Sequence, residues 1–312
     1  MLAEVKQFIF FDFEMLCSEH GMPFASMEAI RLGAVKYDLE TEEITFFDSY
    51  IKPEQTEPLS DFCKNLTCID DEDLAKANSF PYVLNEFICW IGGNAKSRFF
   101  SWSSNDLSRL QLDANRHNIS ASTISSIVER YSDFQKTFSK RVSKINPSVE
   151  NALALYGLDF KGDMHNPMYD AYNTLRVYIA FSKELVKTDV IMLNHFVFTN
   201  KNIELNENLN EDIKQQIQQD LQTMFNNIQP ICNIRHANKL LKRTGKLVKK
   251  YENVLINRSR IFEEDVLLHV RLIIEFYKEL ISSYNEHFSC GCKIFILHEH
   301  MTTPLKKIVV AA

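Results

Sequence analysis

Five residues of this chain carry the types and positions that chemistry needs. Asp12 and Glu14 stand one residue apart at the end of the apolar stretch FIFFDFEM. Asp106 follows a second apolar stretch, and His165 precedes Asp170 by five positions. Side chains alternate along a strand, so Asp12 and Glu14 share a face, about 7 Å apart along the chain. Two like charges at the edge of an apolar sheet repel and desolvate poorly. Either the strand runs out into solvent, or a positive charge sits between them. Hard divalent ions take carboxylate oxygens, and an imidazole is neutral enough near pH 7 to accept a proton. Gathered at one point, these groups suit metal-assisted hydrolysis.

The elements that must position them can be read in order. Residues 7–14 form a buried strand, 29–39 an alternating second, and 43–53 a third that stops at Pro53. Short polar turns between them predict an antiparallel meander. Residues 79–92 read as a helix with Ser79 as cap and Pro81 in its first turn. SRFFSW (97–102) is a fourth strand, and the helix 105–118 follows it, with Asp106 at the entrance. Two short helical segments, DFQKTFSKRV and PSVENALALYGL, come next. A long helix starts at Asn166 and Pro167, which puts Asp170 in its first turn facing the sheet and His165 just outside. Each group thus lies at the end of a strand or the start of a helix, where α/β sheets place their ligands.

The composition is that of a globular protein: 45% hydrophobic, 24% charged and 23 Phe for a core. No apolar run is long enough to span a membrane, and the first strand begins too early to leave room for a signal peptide. Seven cysteines, an odd number in mostly apolar contexts, read as reduced thiols of a cytoplasmic protein. The net charge of −6 is uneven: residues 1–199 hold 19 Lys+Arg against 28 Asp+Glu, and residues 200–312 hold 16 against 13. An acidic catalytic part beside a basic surface for polyanions fits that split.

The ordered set Asp12-x-Glu14, Asp106, His165-x4-Asp170 resembles the DEDDh family of 3′→5′ exonucleases, in the RNase T and DnaQ-like superfamily. The stretches EAIRLGAV, LSDFCKNLT, SFPYVLNEF and HNPMYDAYN are similar to Eri-type exoribonucleases and KapD-like bacterial proteins. The resemblance covers about residues 5–190. It implies an α/β, RNase H-like domain over residues 1–195, with a mixed central sheet flanked by helices. It implies two divalent cations, Mg²⁺ or Mn²⁺, about 3.5–4 Å apart. Asp12 would bridge them, Glu14 and Asp170 would hold the ion that binds the attacking water, Asp106 would support the second, and His165 would take the water's proton. The implied reaction releases nucleoside 5′-monophosphates from single-stranded 3′ ends, with RNA favoured over DNA. Where relatives carry Ala-Thr after the first motif, this chain has Met15 and Leu16, which predicts a more apolar pocket for the terminal nucleotide. Asn105 stands where relatives have an aromatic, Met164 where they have His, and Asn166 where they have Arg.

The Asn-rich segment 199–210 marks a boundary, and residues 196–312 read as a mostly α-helical region. Its apolar stripes are Ile213, Ile217, Leu221, Phe225 and Ile228; Leu240, Leu241, Leu247, Val248, Tyr251 and Leu255; and a third from Phe262 to Tyr284. The tail from Lys293, rich in β-branched residues, reads as a hairpin. Residues 235–260 hold nine Lys/Arg and one Glu. With the stripe inward, Lys239, Lys242, Arg243, Lys246, Lys249 and Lys250 crowd the outer face, either binding phosphates or pairing with the acids at 263–265. Cys290, Cys292, His298 and His300 lie close in sequence, but their spacing is not one common among structural zinc sites. Two other functions compete with the enzyme: a nuclease-derived module that binds nucleic acid or a partner protein, and a proofreading subunit docked to a polymerase by its helical region.

Overall fold

Strict alternation shapes the first strand, β1 (Gln7–Met15). Ile9, Phe11 and Phe13 enter one core cluster, while Phe8 and Phe10 pack against Phe100 and Tyr178 on the other face, mostly edge to face. The computed structural model describes residues 4–310 apart from 94, 95, 200, 227 and 229. The chain divides into two compact units, Met1–Lys140 with Ile145–Lys183, and Arg141–Lys144 with Glu184–Ala312.

In the first unit, β1, β2 (Ala29–Asp38) and β3 (Ile44–Lys52) form the expected antiparallel meander. Helices α1 (Asp61–Thr67) and α2 (Asp71–Lys76) follow. A two-residue strand, β4 (Asn78–Ser79), then adds in parallel to β3 and leads into α3 (Phe80–Ile91). Ser79 is the N-cap residue of α3, yet its side chain makes no capping hydrogen bond. Strand β5 (Ser97–Ser101) pairs in parallel with β1 and is followed by α4 (Ser104–Arg116) and α5 (Ala121–Glu129). Strand β6 (Tyr131–Asp133) completes a mixed six-stranded sheet of order β4-β3-β2-β1-β5-β6. Both β4 and β6 are too short to leave a periodic signal in the sequence. Helix α6 (Phe134–Phe138) runs into one π turn, Ser139–Ser143, before α7 (Val149–Leu155) and α8 (Pro167–Lys183).

Two helices aim the functional ends. Helix α8 packs across β1 and β2. Its Tyr178 meets Phe8 and Phe10, and Asp170 lies eight residues earlier, about 12 Å along a helix. From Phe8 to Asp12 the strand advances about 13 Å. The two advances match, so Asp170 arrives over the acidic end of β1. This close packing needs Gly33, the partner of Asp12 in β2. A Cβ there would lie 1.9 Å from the Met168 backbone nitrogen. Helix α4 is pinned by a buried pair: the guanidinium of Arg109, 0% exposed, donates to Asp113 at 2.8 Å. Asp113 also accepts from Ala29 N, and Arg109 and Arg116 donate to the carbonyls of Phe24 and Ala25. That face ties the start of β2 and the loop before it to the helix that begins with Asp106. A buried charged pair does not fit an amphipathic stripe, so residue spacing gives no sign of it.

In the second unit, α9 (Leu185–Phe196) begins two residues after α8 ends, where the sequence reads as one uninterrupted helix through residue 187. The units part at Lys183/Glu184, earlier than the boundary near 195 that the sequence suggests. Helices α10 (Leu209–Phe225), α11 (Ile234–Tyr251) and α12 (Glu264–Ser289) bury Ile213, Ile217, Leu221, Leu240, Tyr251, Val266, Val270 and Ile273 in one core, as the stripes predict. The tail is not a hairpin. Strand β8 (Ile294–Ile296) pairs instead with the distant β7 (Ile231–Asn233), and α13 (Glu299–Val310) follows. Met301, Leu305 and Ile308 of α13 are buried at helical spacing, and that packing overrides the strand preference of the β-branched residues. Among the described residues, no helix is long and apolar enough to cross a membrane.

Candidate active site

Strands β1 and β5 stay paired up to Phe10 and Phe100, then part. Where β5 leaves off, the first turn of α4 takes its place: Asp106 Oδ1 accepts a hydrogen bond from Phe13 N at 3.2 Å. A β-bulge between Glu14 and Met15 ends the regular pairing with β2. The crevice lies at the carboxyl ends of two parallel strands, the usual place for a ligand in an α/β sheet.

Asp12, Glu14 and Asp170 converge there, with ligand oxygens within 4.8 Å of one another. They are half-buried, and Asp106, 4% exposed, sits behind them in side-chain hydrogen bonding with Asp12. Burial, then the charges of Asp106, Asp170 and Glu14, hold the Asp12 carboxyl well above its ordinary range. Glu14 is pushed up to about 8 by burial and by Asp170 and Asp106, against the pull of Arg31. Arg31 is its cross-strand partner in β2, but it is committed to Asp48 through two hydrogen bonds. Burial raises Asp106 to about 7, opposed by the N–H of Phe13, and raises Asp170 to about 6. Four acids with too little positive charge among them describe a site built for a cation. Every donor is a carboxylate oxygen, which fits a hard divalent ion.

His165 is exposed, in left-handed backbone conformation (φ 59°), in the loop before α8. The loop is held by Asn173 of α8, which accepts from Lys161 N and donates to Lys161 O. Gly162, at φ +84°, lies where a Cβ would strike the Tyr169 ring at 2.3 Å. As expected, Asp170 falls in the first turn of α8, and Asn166 Oδ1 accepts from Met168 N at 3.1 Å.

The expected substrate contacts fare differently. Met15 is half-buried against the core beside the site, and Asn105 is exposed in the first turn of α4. Leu16 is corrected: it is 2% exposed and packs with Ile30, Leu59 and Cys63, so its side chain belongs to the core and does not line a pocket. Lys242, Arg243, Lys246 and Lys249 are exposed on α11 in the second unit. The rings of His298 and His300 stack at 5.6 Å, and Cys290 and Cys292 are exposed free thiols. Among the described residues the only trio able to hold a metal is Asp12, Glu14 and Asp170.

The RNase T exonuclease model matches residues 9–178, more than half of the chain. The chain belongs to the RNase T exonuclease family. It is 29% identical over 184 residues to human 3′-5′ exoribonuclease 1, covering 55% of this chain and 51% of that protein. It is 25% identical over 190 residues to the zebrafish (Danio rerio) ERI1 exoribonuclease 2, covering 53% and 33%. The chain thus spans about half the length, or less, of these curated relatives. Among solved structures, the nuclease domain of 3′hExo, a DEDDh family member bound to rAMP, superposes with a TM-score of 0.53 at 23% identity, covering 60% of this chain and 97% of that one. Cell-death related nuclease 4 gives 0.50 at 22% identity, covering 58% and 64%. These likenesses establish the α/β RNase H-like fold of the family domain.

Proposed function

We propose that this family member is an active, metal-dependent 3′→5′ exonuclease that cuts nucleoside 5′-monophosphates from single-stranded 3′ ends, with RNA its favoured substrate. The convergence of Asp12, Glu14 and Asp170 within 4.8 Å carries the reading. With Asp106 behind them, they supply the oxygen set for two divalent ions, Mg²⁺ or Mn²⁺. When bound, such ions lower the pKa of a water and offset charge on the phosphoryl group and leaving oxygen. The residues of the chain do the rest. Asp12, Glu14 and Asp170 give up their protons to become ligands, and Asp106 fixes β1 through Phe13 N. His165, on its anchored loop, takes the proton of the attacking water at an imidazole nitrogen. Met15 and Asn105 line the approach of the terminal nucleotide. The seven free cysteines support a reducing, cytoplasmic setting.

A panel of end-labelled RNA and DNA oligonucleotides with Mg²⁺, Mn²⁺ or chelator tests this. Mononucleotides should appear from the 3′ end, faster from RNA, and only with a divalent ion. Release that persists in chelator, or products longer than one nucleotide, would reject the proposal. A module that only binds nucleic acid would retain the strand intact under all three conditions.

A further inference from the structure

Helix α11 carries seven Lys/Arg and no acid along its 18 residues. Among the described residues only Lys250 of these seven forms an ion pair, with Asp220. The acids at 263 and 264, which could have covered the face, pair instead with Lys214 and Arg271. Lys239, Lys242, Arg243, Lys246 and Lys249 therefore stand exposed and unpaired. Counting the neighbours Lys242 and Arg243 as one step, they recur every three or four residues, about 5 Å per step and about 15 Å in all. Such a row left bare repels itself, and a polyanion would relieve it.

Two hollows flank this row and share Arg243. One, of about 310 Å³, has an apolar floor of Ile228, Leu240, Phe295 and Leu297, with His236 and Lys239 at its rim. The other, of about 340 Å³, is lined by Thr223, Met224 and Leu247 with Lys246 beside them. Its one carboxylate, Asp220, is already engaged by Lys250 and the Tyr251 hydroxyl. Both are of a size that holds small planar ligands.

We propose that α11 and these two hollows form a second binding site, taking the phosphates of a single-stranded polynucleotide on the cation row and its unstacked bases in the hollows. The choice of polynucleotide rests on the exonuclease reading. The single strand follows from the apolar floors, since a duplex keeps its bases stacked and offers only phosphates. Cationic tracks flanked by base-sized apolar surfaces are how strands are held without sequence preference.

The test uses the full chain in chelator, so that no strand is degraded, and a labelled oligonucleotide of about 16 nucleotides. The triple variant Lys239→Gln, Arg243→Gln, Lys246→Gln should bind at least about tenfold more weakly, and the slope of log K against log salt should shrink by about 2. The triple swap Lys239→Arg, Arg243→Lys, Lys246→Arg should bind as the unaltered chain does, which separates charge from folding. An abasic strand of equal length should bind roughly tenfold more weakly than the base-bearing one. An unchanged slope in the Gln variant, equal binding of the abasic strand, or equal competition by polyglutamate would overturn the proposal. Hydrolysis of a dinucleotide by the unaltered chain with Mg²⁺ reads the carboxylate site separately. Its failure would sink the catalytic reading and leave the chelator measurement standing.

Discussion

At the scale of single residues, the chemistry reduces to four acids that destabilise one another until a cation arrives. Asp12→Ala or Asp170→Ala should abolish metal-dependent release of mononucleotides, measured with an end-labelled strand. His165→Ala should slow it by about 10²–10⁴-fold while leaving metal affinity unchanged, since a general base contributes that much. The raised carboxyl groups give a second expectation. With Glu14 raised to about 8, Asp106 to about 7 and Asp170 to about 6, the metal-free site retains protons at neutral pH. Ligation requires the ionised forms, so Mn²⁺ binding should release protons and tighten as pH rises from 6 to 8. Calorimetry in buffers of different ionisation enthalpy counts those protons. A proton count of zero would mean that the acids are already ionised in the free protein.

At the scale of elements, the site depends on how closely α8 lies on β2. Gly33 permits that approach, because a Cβ would meet backbone atoms of Pro167 and Met168 within 2.2 Å. No rotamer change can clear a backbone clash. Gly33→Ala should push the first turn of α8, and Asp170 with it, off the acidic end of β1. We expect a loss of about 1–3 kcal/mol in stability and a larger fractional loss of activity than of folded protein, read by comparing denaturant midpoints with single-turnover rates. Full activity at a lowered midpoint would show that Asp170 is positioned by something other than this contact. The sequence placed Gly33 in a strand without distinguishing it, since the need for a missing side chain arises from a neighbour over a hundred residues away. Arg109 and Asp113 went unread for a related reason: helical charges look like a solvated face until the packing encloses them. Likeness to the Ala-Thr pair of relatives places Leu16 at the pocket, but as an apolar side chain it packs into the core with Ile30, Leu59 and Cys63.

At the scale of the whole molecule, the same acids link stability to pH. Their carboxyl groups have folded pKa values above the ordinary range near 4, so the native state binds more protons than the unfolded chain. The stability this gives is present at low pH and is lost as pH rises through about 6 to 8. The metal-free protein should therefore melt at a lower temperature at pH 8 than at pH 6, and Asp12→Asn should flatten that dependence. A divalent ion bound only by the native state should reverse the loss, by about 2.7 kcal/mol at a hundred times its dissociation constant. Calorimetric scans with chelator and with Mn²⁺ at both pH values check it. A melting point indifferent to Mn²⁺ would count against the carboxylate site as a metal centre.

By itself the sequence determined what depends on local pattern: the alternation of β1, the meander, the helical stripes of the second unit, and the placing of Asp12, Glu14, Asp106 and Asp170 at the ends of elements. Those features follow from residue spacing and capping chemistry, which a linear chain displays directly. Only the tertiary structure decided that three acids meet within 4.8 Å, that Asp106 stands behind them, that β7 finds β8 across some sixty residues, and that on α11 only Lys250 finds an ion-pair partner among the described residues. Each of these is a contact between distant segments. Such contacts are set by which surfaces the packed core leaves adjacent, and the order of residues alone does not carry that information.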